Sequence, residues 1–404
     1  MLSERENCTG CGACAAVCPY NAIKMQPDEL GFPYPVINKT SCVGCGICQK
    51  YCPELNRDNA QDAIPRYPDI YAAWSKDNNL LKRSSSGGIF GEFAKNLLES
   101  GGVVLGAAYT ENLGLQHIAV TSPKELYKLL GSKYIQSNMG DCYHQVKKYL
   151  SENKKVLFTG TPCQISGLYA FLKNDPDNLF TAEILCHGVP SPEIFRCYLK
   201  YISKNFLKGE VVREYSFRNK SRGWKNFCIQ ARSERHTYRR FFYEDKFMHG
   251  FLKNYYLRES CYQCRYAAKQ RYSDITLGDF WGYERFDYPR FNYDRGVSIV
   301  LCSTKKGKQL FSGISKQIYY QAVPFEDCAE YNTVLTHPCK KPENRDKILS
   351  MFKQKGVEEM LAEFQTPPRP LSVKILSLGG KLPYHFINEV LPKLKRKATG
   401  KHKL

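Results

Sequence analysis

Three patterns of apolar and polar positions follow one another along this chain. Up to residue 56 the apolar positions are broken into short pieces: residues 22–25 and 34–37 read as brief strands about a turn holding Gly31 and Pro33. Residues 57–69 are polar and proline-punctuated, which predicts a linker. From residue 70 short apolar strands alternate with helical periods. Ile89, Phe90, Phe93, Ala94, Leu97 and Leu98 share one helical face, Gly101-Gly102 closes that helix, and a strand follows over 103–109. Residues 155–160 and 180–185 read as two more strands, each followed by a Gly/Pro turn and a helix (164–172 and 193–201). Residues 211–217, 227–232 and 238–243 look antiparallel, and 296–303 reads as the last strand, with a helix from Lys305. The pattern predicts a mixed α/β (α+β) protein: a small domain over 1–56, a linker over 57–69, a larger mixed domain over 70–340, and a helical extension over 341–404 that ends in a basic tail.

The cysteines give the first domain its chemistry. Cys8-x2-Cys11-x2-Cys14-x3-Cys18-Pro19 is repeated as Cys42-x2-Cys45-x2-Cys48-x3-Cys52-Pro53. This is the run of bacterial two-cluster ferredoxins, in which the fourth cysteine of each run ligates the other run's cluster. Cys8, Cys11, Cys14 and Cys52 are therefore expected to hold one [4Fe–4S] cluster, and Cys42, Cys45, Cys48 and Cys18 a second. Three thiolates two residues apart let one loop wrap a cubane, with Gly10, Gly12, Gly44 and Gly46 bringing the backbone close. Zinc also uses C-x2-C pairs, but four cysteines per run, duplicated and followed by proline, fit it poorly. A disulfide framework fits worse, because no secretory signal precedes the first ligand. A cytoplasmic, single-electron carrier is the expectation.

Charge changes the picture of the remainder. The chain of 404 residues has a formal charge of +20, yet residues 1–60 hold five Lys/Arg against six Asp/Glu, so the rest carries +21. That excess predicts an anionic partner: a nucleotide cofactor, an acidic small-molecule substrate or an acidic redox protein. No nucleic-acid-binding motif is present, so nucleic acid is not expected. No apolar run reaches the length of a transmembrane helix. Residues 392–404 hold six Lys/Arg and no acid; a solvated tail is the default reading, with peripheral contact to a membrane surface or an acidic partner as the other.

Further candidate residues fall at the ends of the predicted strands. Residues 155–163 lead through Gly160-Thr161-Pro162 to Cys163 at a helix start, where a thiolate is stabilised. Cys186-His187-Gly188-Val189-Pro190-Ser191 repeats the arrangement, and ligands bind along that edge of an open α/β sheet. Cys261-x2-Cys264 alone is weak evidence for a metal, but with Cys163 and Cys186 it makes four thiolates, enough for a third [4Fe–4S] cluster. Ser85, Ser86, Gly87 and Gly88 open the helix at residue 89, which suits a phosphate as well as it suits an ordinary helix cap. Arg218, Lys220 and Arg222 flank Gly223-Trp224, as in an anion pocket with an aromatic wall or on a solvated face. His187 reads as a proton-transfer residue or a hydrogen-bonded turn residue. The other cysteines lie singly, with Cys339 in His337-Pro338-Cys339-Lys340 standing somewhat apart.

Seven motifs together resemble the coenzyme F420 hydrogenase/dehydrogenase beta subunit family, in the form with an N-terminal two-cluster ferredoxin domain. They are Ser85-Ser86-Gly87-Gly88, Gly131-Ser132-Lys133-Tyr134, residues 158–164 (Phe-Thr-Gly-Thr-Pro-Cys-Gln), residues 186–191, Lys220-Ser221-Arg222-Gly223-Trp224, Cys261-x2-Cys264 and Gly278-Asp279-Phe280-Trp281-Gly282. The resemblance implies a flavin, FAD or FMN, in the larger domain beside a [4Fe–4S] cluster. It also implies coenzyme F420 or another two-electron partner as substrate, and a redox partner protein or larger complex. A flavin interconverts hydride and single-electron transfer, which clusters alone do not. On this reading Lys133 and His187 act at the reacting centre. Ser85 to Gly88 and Lys133 hold the flavin, and Arg218, Lys220 and Arg222 hold an anionic tail. A ferredoxin-fed reductase of an organic substrate, in glycan or pigment modification for example, and a non-catalytic relay subunit are the alternatives.

Overall fold

The computed structural model describes residues 2–56, 68–288 and 295–366. The linker expected over 57–69 lies outside them up to residue 67, and the basic tail lies outside them entirely.

The N-terminal module consists of α1 (Ala13–Ala16), the antiparallel pair β1 (Ile23–Pro27) and β2 (Pro33–Ile37), and α2 (Ile47–Lys50). Its two cysteine runs share one backbone course. Gly10 and Gly44 have φ of +68° and +70°, and Gly12 and Gly46, at +81° and +72°, each start one of the four-residue helices. Left-handed backbone at these positions requires glycine, so the sequence repeat is also a conformational one.

Asp69 already belongs to the larger domain. In chain order that domain comprises β3 (Asp69–Ser75), α3 (Asn78–Arg83), α4 (Ile89–Glu99), β4 (Val103–Tyr109), β5 (Leu115–Val120), α5 (Cys142–Ser151), β6 (Val156–Gly160), α6 (Pro162–Leu172) and β7 (Leu179–Ile184). There follow α7 (Pro192–Phe206), β8 (Glu214–Asn219), β9 (Cys228–Arg232), β10 (Thr237–Phe241), α8 (Lys246–Leu252), β11 (Ile275–Asp279), β12 (Ser298–Cys302), α9 (Lys305–Gly313) and β13 (Ile318–Ala322). The described chain closes with α10 (Phe325–Glu330), α11 (Arg345–Lys355) and α12 (Val357–Ala362).

Eight strands form one sheet in the order β13-β3-β12-β11-β7-β6-β4-β5, parallel through β11, β7, β6 and β4 and antiparallel elsewhere. Both faces are covered, so its strands are apolar on both sides. Val104, Leu157 and Val300 face α4 and α9, while Val103, Leu105, Val156 and Phe158 face α5 and α6. A second core packs α7, α8, α11 and α12 against the three-stranded sheet β10-β9-β8. The strand expected to be last is followed by one more: β13 has Tyr319 and Tyr320 exposed at the sheet edge, and that mixed pattern hid it.

The N-terminal module is wedged between the two cores. Cys11 and Ala13 pack into the α5–α6 layer, and Leu30 and Phe32 into the α7–β8 core. Ser191 Oγ donates to Leu30 O at 2.6 Å, and Tyr143 Oη donates to Cys11 O at 2.9 Å. Gly167 is needed on α6 because a Cβ there would lie 2.9 Å from the Cys11 Cβ. Among the described residues no helix is long and apolar enough to cross a membrane.

Candidate functional site: a four-thiol pocket between a cleft and the N-terminal cysteines

Cys8, Cys11, Cys14 and Cys52 line one cavity, the four that the crossing rule pairs. Burial, together with the neighbouring thiols, pushes the Cys11 and Cys14 thiols far above their ordinary range. The other set lies nearer solvent: Cys42 and Cys45 are exposed, Cys18 and Cys48 half-buried, and Val43 between them is 61% exposed. The Ala22 N–H donates to Cys18 Sγ at 3.3 Å.

A second pocket is lined by Cys163, Cys186, Cys261 and Cys264. Topology brings them there: Cys163 and Cys186 follow the parallel neighbours β6 and β7, and the other two come from the 3-10 turn Glu259–Gln263 and the residue after it. The Val189 N–H points at Cys261 Sγ (3.5 Å) and Thr161 Oγ1 lies 3.1 Å from Cys163 Sγ. Cys163 lies in the first turn of α6, as expected. Without a bound metal, burial and the neighbouring thiols push Cys163, like Cys261, up to about 12, and raise Cys186 as well. Four half-buried thiols lining one pocket could together ligate a [4Fe–4S] cluster, whose binding would displace their protons. Cys339 is a fifth cysteine in the wall, its Sγ 3.7 Å from Cys261 O.

Across Cys163 lies a cleft of about 280 Å³ at the carboxyl ends of β6, β7 and β11. Its walls are residues 84–86 and 88, the strap 129–137, residues 159–161 and residues 277–279. The helix α4 starts at Gly88 with φ +81° and no side-chain cap, so its first N–H groups remain to be satisfied. Ser84 Oγ is buried without a hydrogen-bond partner among the described residues. Gly87 is fixed by crowding, since a Cβ would lie 2.4 Å from Ala73 O. Glu92 in the first turn of α4 accepts from Ser75 Oγ and is held above the usual carboxylate range by burial, which limits its opposition to an anion. An uncapped glycine-led helix start and an orphan hydroxyl at a cleft suit a ligand phosphate.

Of the expected cations, Arg218, Lys220 and Lys133 turn inward and Arg222 does not. Arg218 donates to both oxygens of Asp279 (3.0 and 3.1 Å), to Tyr134 Oη (3.1 Å) and to Ser85 O (3.1 Å). Lys220 Nζ donates to Ser86 O at 2.8 Å and to Arg295 O at 2.6 Å, and burial lowers its pKa to about 7. Both hold the serine loop. Lys133 Nζ donates to the carbonyls of Leu129, Leu130 and Gly131 at 3.1–3.2 Å, which folds the strap on itself, and burial lowers it to about 7. Arg222 is exposed and does not line the cleft. Trp224 stacks on Trp281 at 4.8 Å and donates to Asp279 Oδ1 at 2.8 Å.

His187 lines the four-thiol pocket, where Asn254 Oδ1 accepts from its Nε2 at 2.6 Å and burial lowers its pKa. A histidine the sequence did not single out lines the cleft. His117 is fully enclosed, its Nε2 3.0 Å from Thr159 O and its Nδ1 2.9 Å from Ser137 Oγ, and burial lowers it to about 4. Thr159 O can only accept, so the ring is neutral with hydrogen on Nε2, and Ser137 donates to Nδ1. Gln164 Nε2 donates to Ser137 Oγ (2.9 Å), and its Oε1 accepts from Thr161 N (2.9 Å) beside Cys163. One buried hydrogen-bond chain thus runs from the cleft wall to a thiol of the pocket.

These features define an iron–sulfur protein of the redox, electron-transferring class. The sequence matches the N-terminal region of the coenzyme F420 hydrogenase/dehydrogenase beta subunit over residues 70–142, its C-terminal region over 153–327, and a 4Fe-4S dicluster domain over 7–55. The chain belongs to the coenzyme F420 hydrogenase/dehydrogenase beta subunit family, a family of oxidoreductases, with a dicluster domain at its N-terminal end. An uncharacterised protein of Methanocaldococcus jannaschii is 27% identical over 204 residues, 44% of this chain and 56% of that protein, so the match spans just over half of that relative's length. A chain in a structure of the F420-reducing [NiFe] hydrogenase complex from Methanosarcina barkeri is 18% identical with a TM-score of 0.44, covering 75% of this chain and 93% of that one.

Proposed function

We propose that this chain is an iron–sulfur flavoprotein that exchanges a hydride with coenzyme F420 or a similar two-electron partner and moves the electrons one at a time to or from a redox partner protein. The observation that carries the reading is that three cavities share walls. Thr9 lines both the N-terminal thiol cavity and the four-thiol pocket, and Cys163 lines both that pocket and the cleft. A flavin in the cleft supplies the interconversion of hydride and single electrons, and [4Fe–4S] clusters on the twelve cysteines supply one-electron carriers.

The chain's residues have separable roles. The first turn of α4, with Ser84 to Gly88, holds the flavin phosphates, while Arg218 and Lys220 act behind that loop by fixing Ser85 O and Ser86 O. Lys133 keeps the strap closed over the cleft, and neutral His117 fixes Ser137 and Gln164 against the start of α6. His187, held by Asn254, walls the thiol pocket. The N-terminal module ends the path at Cys42, Val43 and Cys45, an exposed end that a partner protein can reach.

The test is anaerobic mixing of flavin- and cluster-loaded protein with reduced F420, with NADH in parallel, following flavin and cluster absorbance. Fast bleaching by reduced F420 and not by NADH is the expected result. No bleaching by either, with ready reduction by a reduced ferredoxin, overturns the hydride donor and reverses the direction of flow.

A further inference from the structure

One charged side chain sits where all three cavities meet. Arg258 follows the bridge between Pro190 and Leu257, caps the turn that carries Cys261, and is 1% exposed. Its guanidinium donates from Nε to Cys8 O at 2.7 Å, from Nη1 to Gln136 Oε1 at 3.0 Å and from Nη2 to Pro33 O at 3.1 Å, and it lies 4.1 Å over the Tyr34 ring. Arg258 itself lines the four-thiol pocket, Cys8 belongs to the N-terminal cavity, and Gln136 lines the cleft. Gln136 Nε2 adds a bond to Thr9 O at 3.0 Å. Gly10 is required against this pair, since a Cβ there would lie 2.8 Å from Arg258 Nη1.

No carboxylate pairs with Arg258 among the described residues. The adjacent Glu259 is taken by Lys341 and Arg345. The oxygens that accept from Arg258 belong to two backbone carbonyls and a side-chain amide, all neutral. A guanidinium buried without a counter-charge is unfavourable, and proteins keep one where an anion faces it. Thiolate-ligated clusters are net anionic, and each gains one more negative charge on reduction, so a fixed cation against them stabilises the reduced form.

We propose that Arg258 is a positioning residue that also acts electrostatically on two sites at once. It seats the Cys8–Cys11 loop on the four-thiol pocket and serves as the counter-cation of the two clusters on either side, favouring their reduction. The proposal rests on the cluster reading above. The cluster on Cys42, Cys45, Cys48 and Cys18, whose ligands and loop Arg258 does not touch, is the internal reference.

The test is an anaerobic redox titration of the full, cluster-loaded chain followed by electron paramagnetic resonance, comparing wild type, Arg258→Gln and Arg258→Lys. Arg258→Gln is expected to lower the reduced-to-oxidised ratio of two clusters at least tenfold at a given potential, a fall of 59 mV or more for one electron. The third cluster stays within about threefold, and Arg258→Lys, which keeps the charge and loses the fork, keeps all three there. Unchanged potentials in Arg258→Gln overturn the proposal, as does an equally large shift in Arg258→Lys, which would mean hydrogen-bond geometry rather than charge. If Arg258→Gln does not retain iron, Arg258→His is titrated at pH values below and above the imidazole's own titration: a fall of 59 mV or more in two clusters relative to the third as the imidazole loses its charge supports the proposal, and potentials that move together overturn it. Wild-type protein that binds iron for fewer than three clusters, about 12 atoms in all, defeats the cluster reading itself, an outcome distinct from these.

Discussion

The duplicated cysteine runs allow one substitution to be made twice in the same backbone and two different surroundings. Gly10 and Gly44 have φ of +68° and +70°. An added Cβ at Gly44 meets nothing within 4 Å, whereas at Gly10 it lies 2.8 Å from Arg258 Nη1 and 2.9 Å from Pro33 O. The arginine is held by three hydrogen bonds and Pro33 O is backbone, so neither gives way easily. Left-handed backbone costs an alanine about 1–2 kcal/mol at either site. Overpacking adds about 1–3 kcal/mol, and only at Gly10. Gly10→Ala should therefore be the more destabilising by about 1–3 kcal/mol, read as the difference in urea midpoint when anaerobic unfolding is followed by cluster absorbance. Equal shifts, within about 0.5 kcal/mol, would refute the seating of the first cysteine run on the larger domain.

Other outcomes follow from single interactions. Asp279→Asn leaves Arg218, whose side chain is 3% exposed, without its carboxylate. Asp279 is itself 18% exposed, so the expected loss is near the low end of a broken buried pair, about 3 kcal/mol by tryptophan-monitored melting, with flavin content falling as the Ser85 loop loosens. His117 titrates near 4 when folded against an ordinary 6.5, so the unfolded chain takes up the proton first as pH falls. Stability from this group is complete above pH 6.5 and is lost on the way down to about 4, by about 3 kcal/mol; His117→Asn should remove that part of the pH dependence of Tm, and parallel pH profiles for wild type and variant would contradict it. Cys339→Ala should leave iron and sulfide per chain unchanged, because four other thiols already ring the pocket; loss of about four irons would make Cys339 a ligand.

What the sequence disclosed and what it hid have separate physical causes. Local spacing carries chemistry when neighbours in sequence are neighbours in the site, as in Cys8 to Cys18 and Cys42 to Cys52. The meeting of Cys163 with Cys186 was legible one level up, because parallel strands put their ends on one edge. Arg218, Lys220 and Arg258 were not legible in the same way: a buried, tethered cation and a solvated one look alike until Asp279, Ser86 O or Cys8 O is brought beside it. His117, Ser137 and Gln164 come from a strand, a strap and a helix, and no spacing links them. The edge strand β13 escaped because its outward tyrosines erase the alternation that marks a covered strand.

On the proposed path the four-thiol pocket joins the cleft to the N-terminal cysteines, and removing one of its thiols cuts the chain of sites at that point. Wild type and Cys186→Ser, both loaded with flavin and with the N-terminal clusters verified, would be mixed with reduced F420 and freeze-quenched for electron paramagnetic resonance. The N-terminal clusters are expected to be reduced within the mixing series in wild type and to lag by a factor of about 100 or more in Cys186→Ser, while the flavin bleaches equally fast in both, as when one member of an obligatory sequence is removed. N-terminal clusters reduced at the same rate in both proteins would contradict the path.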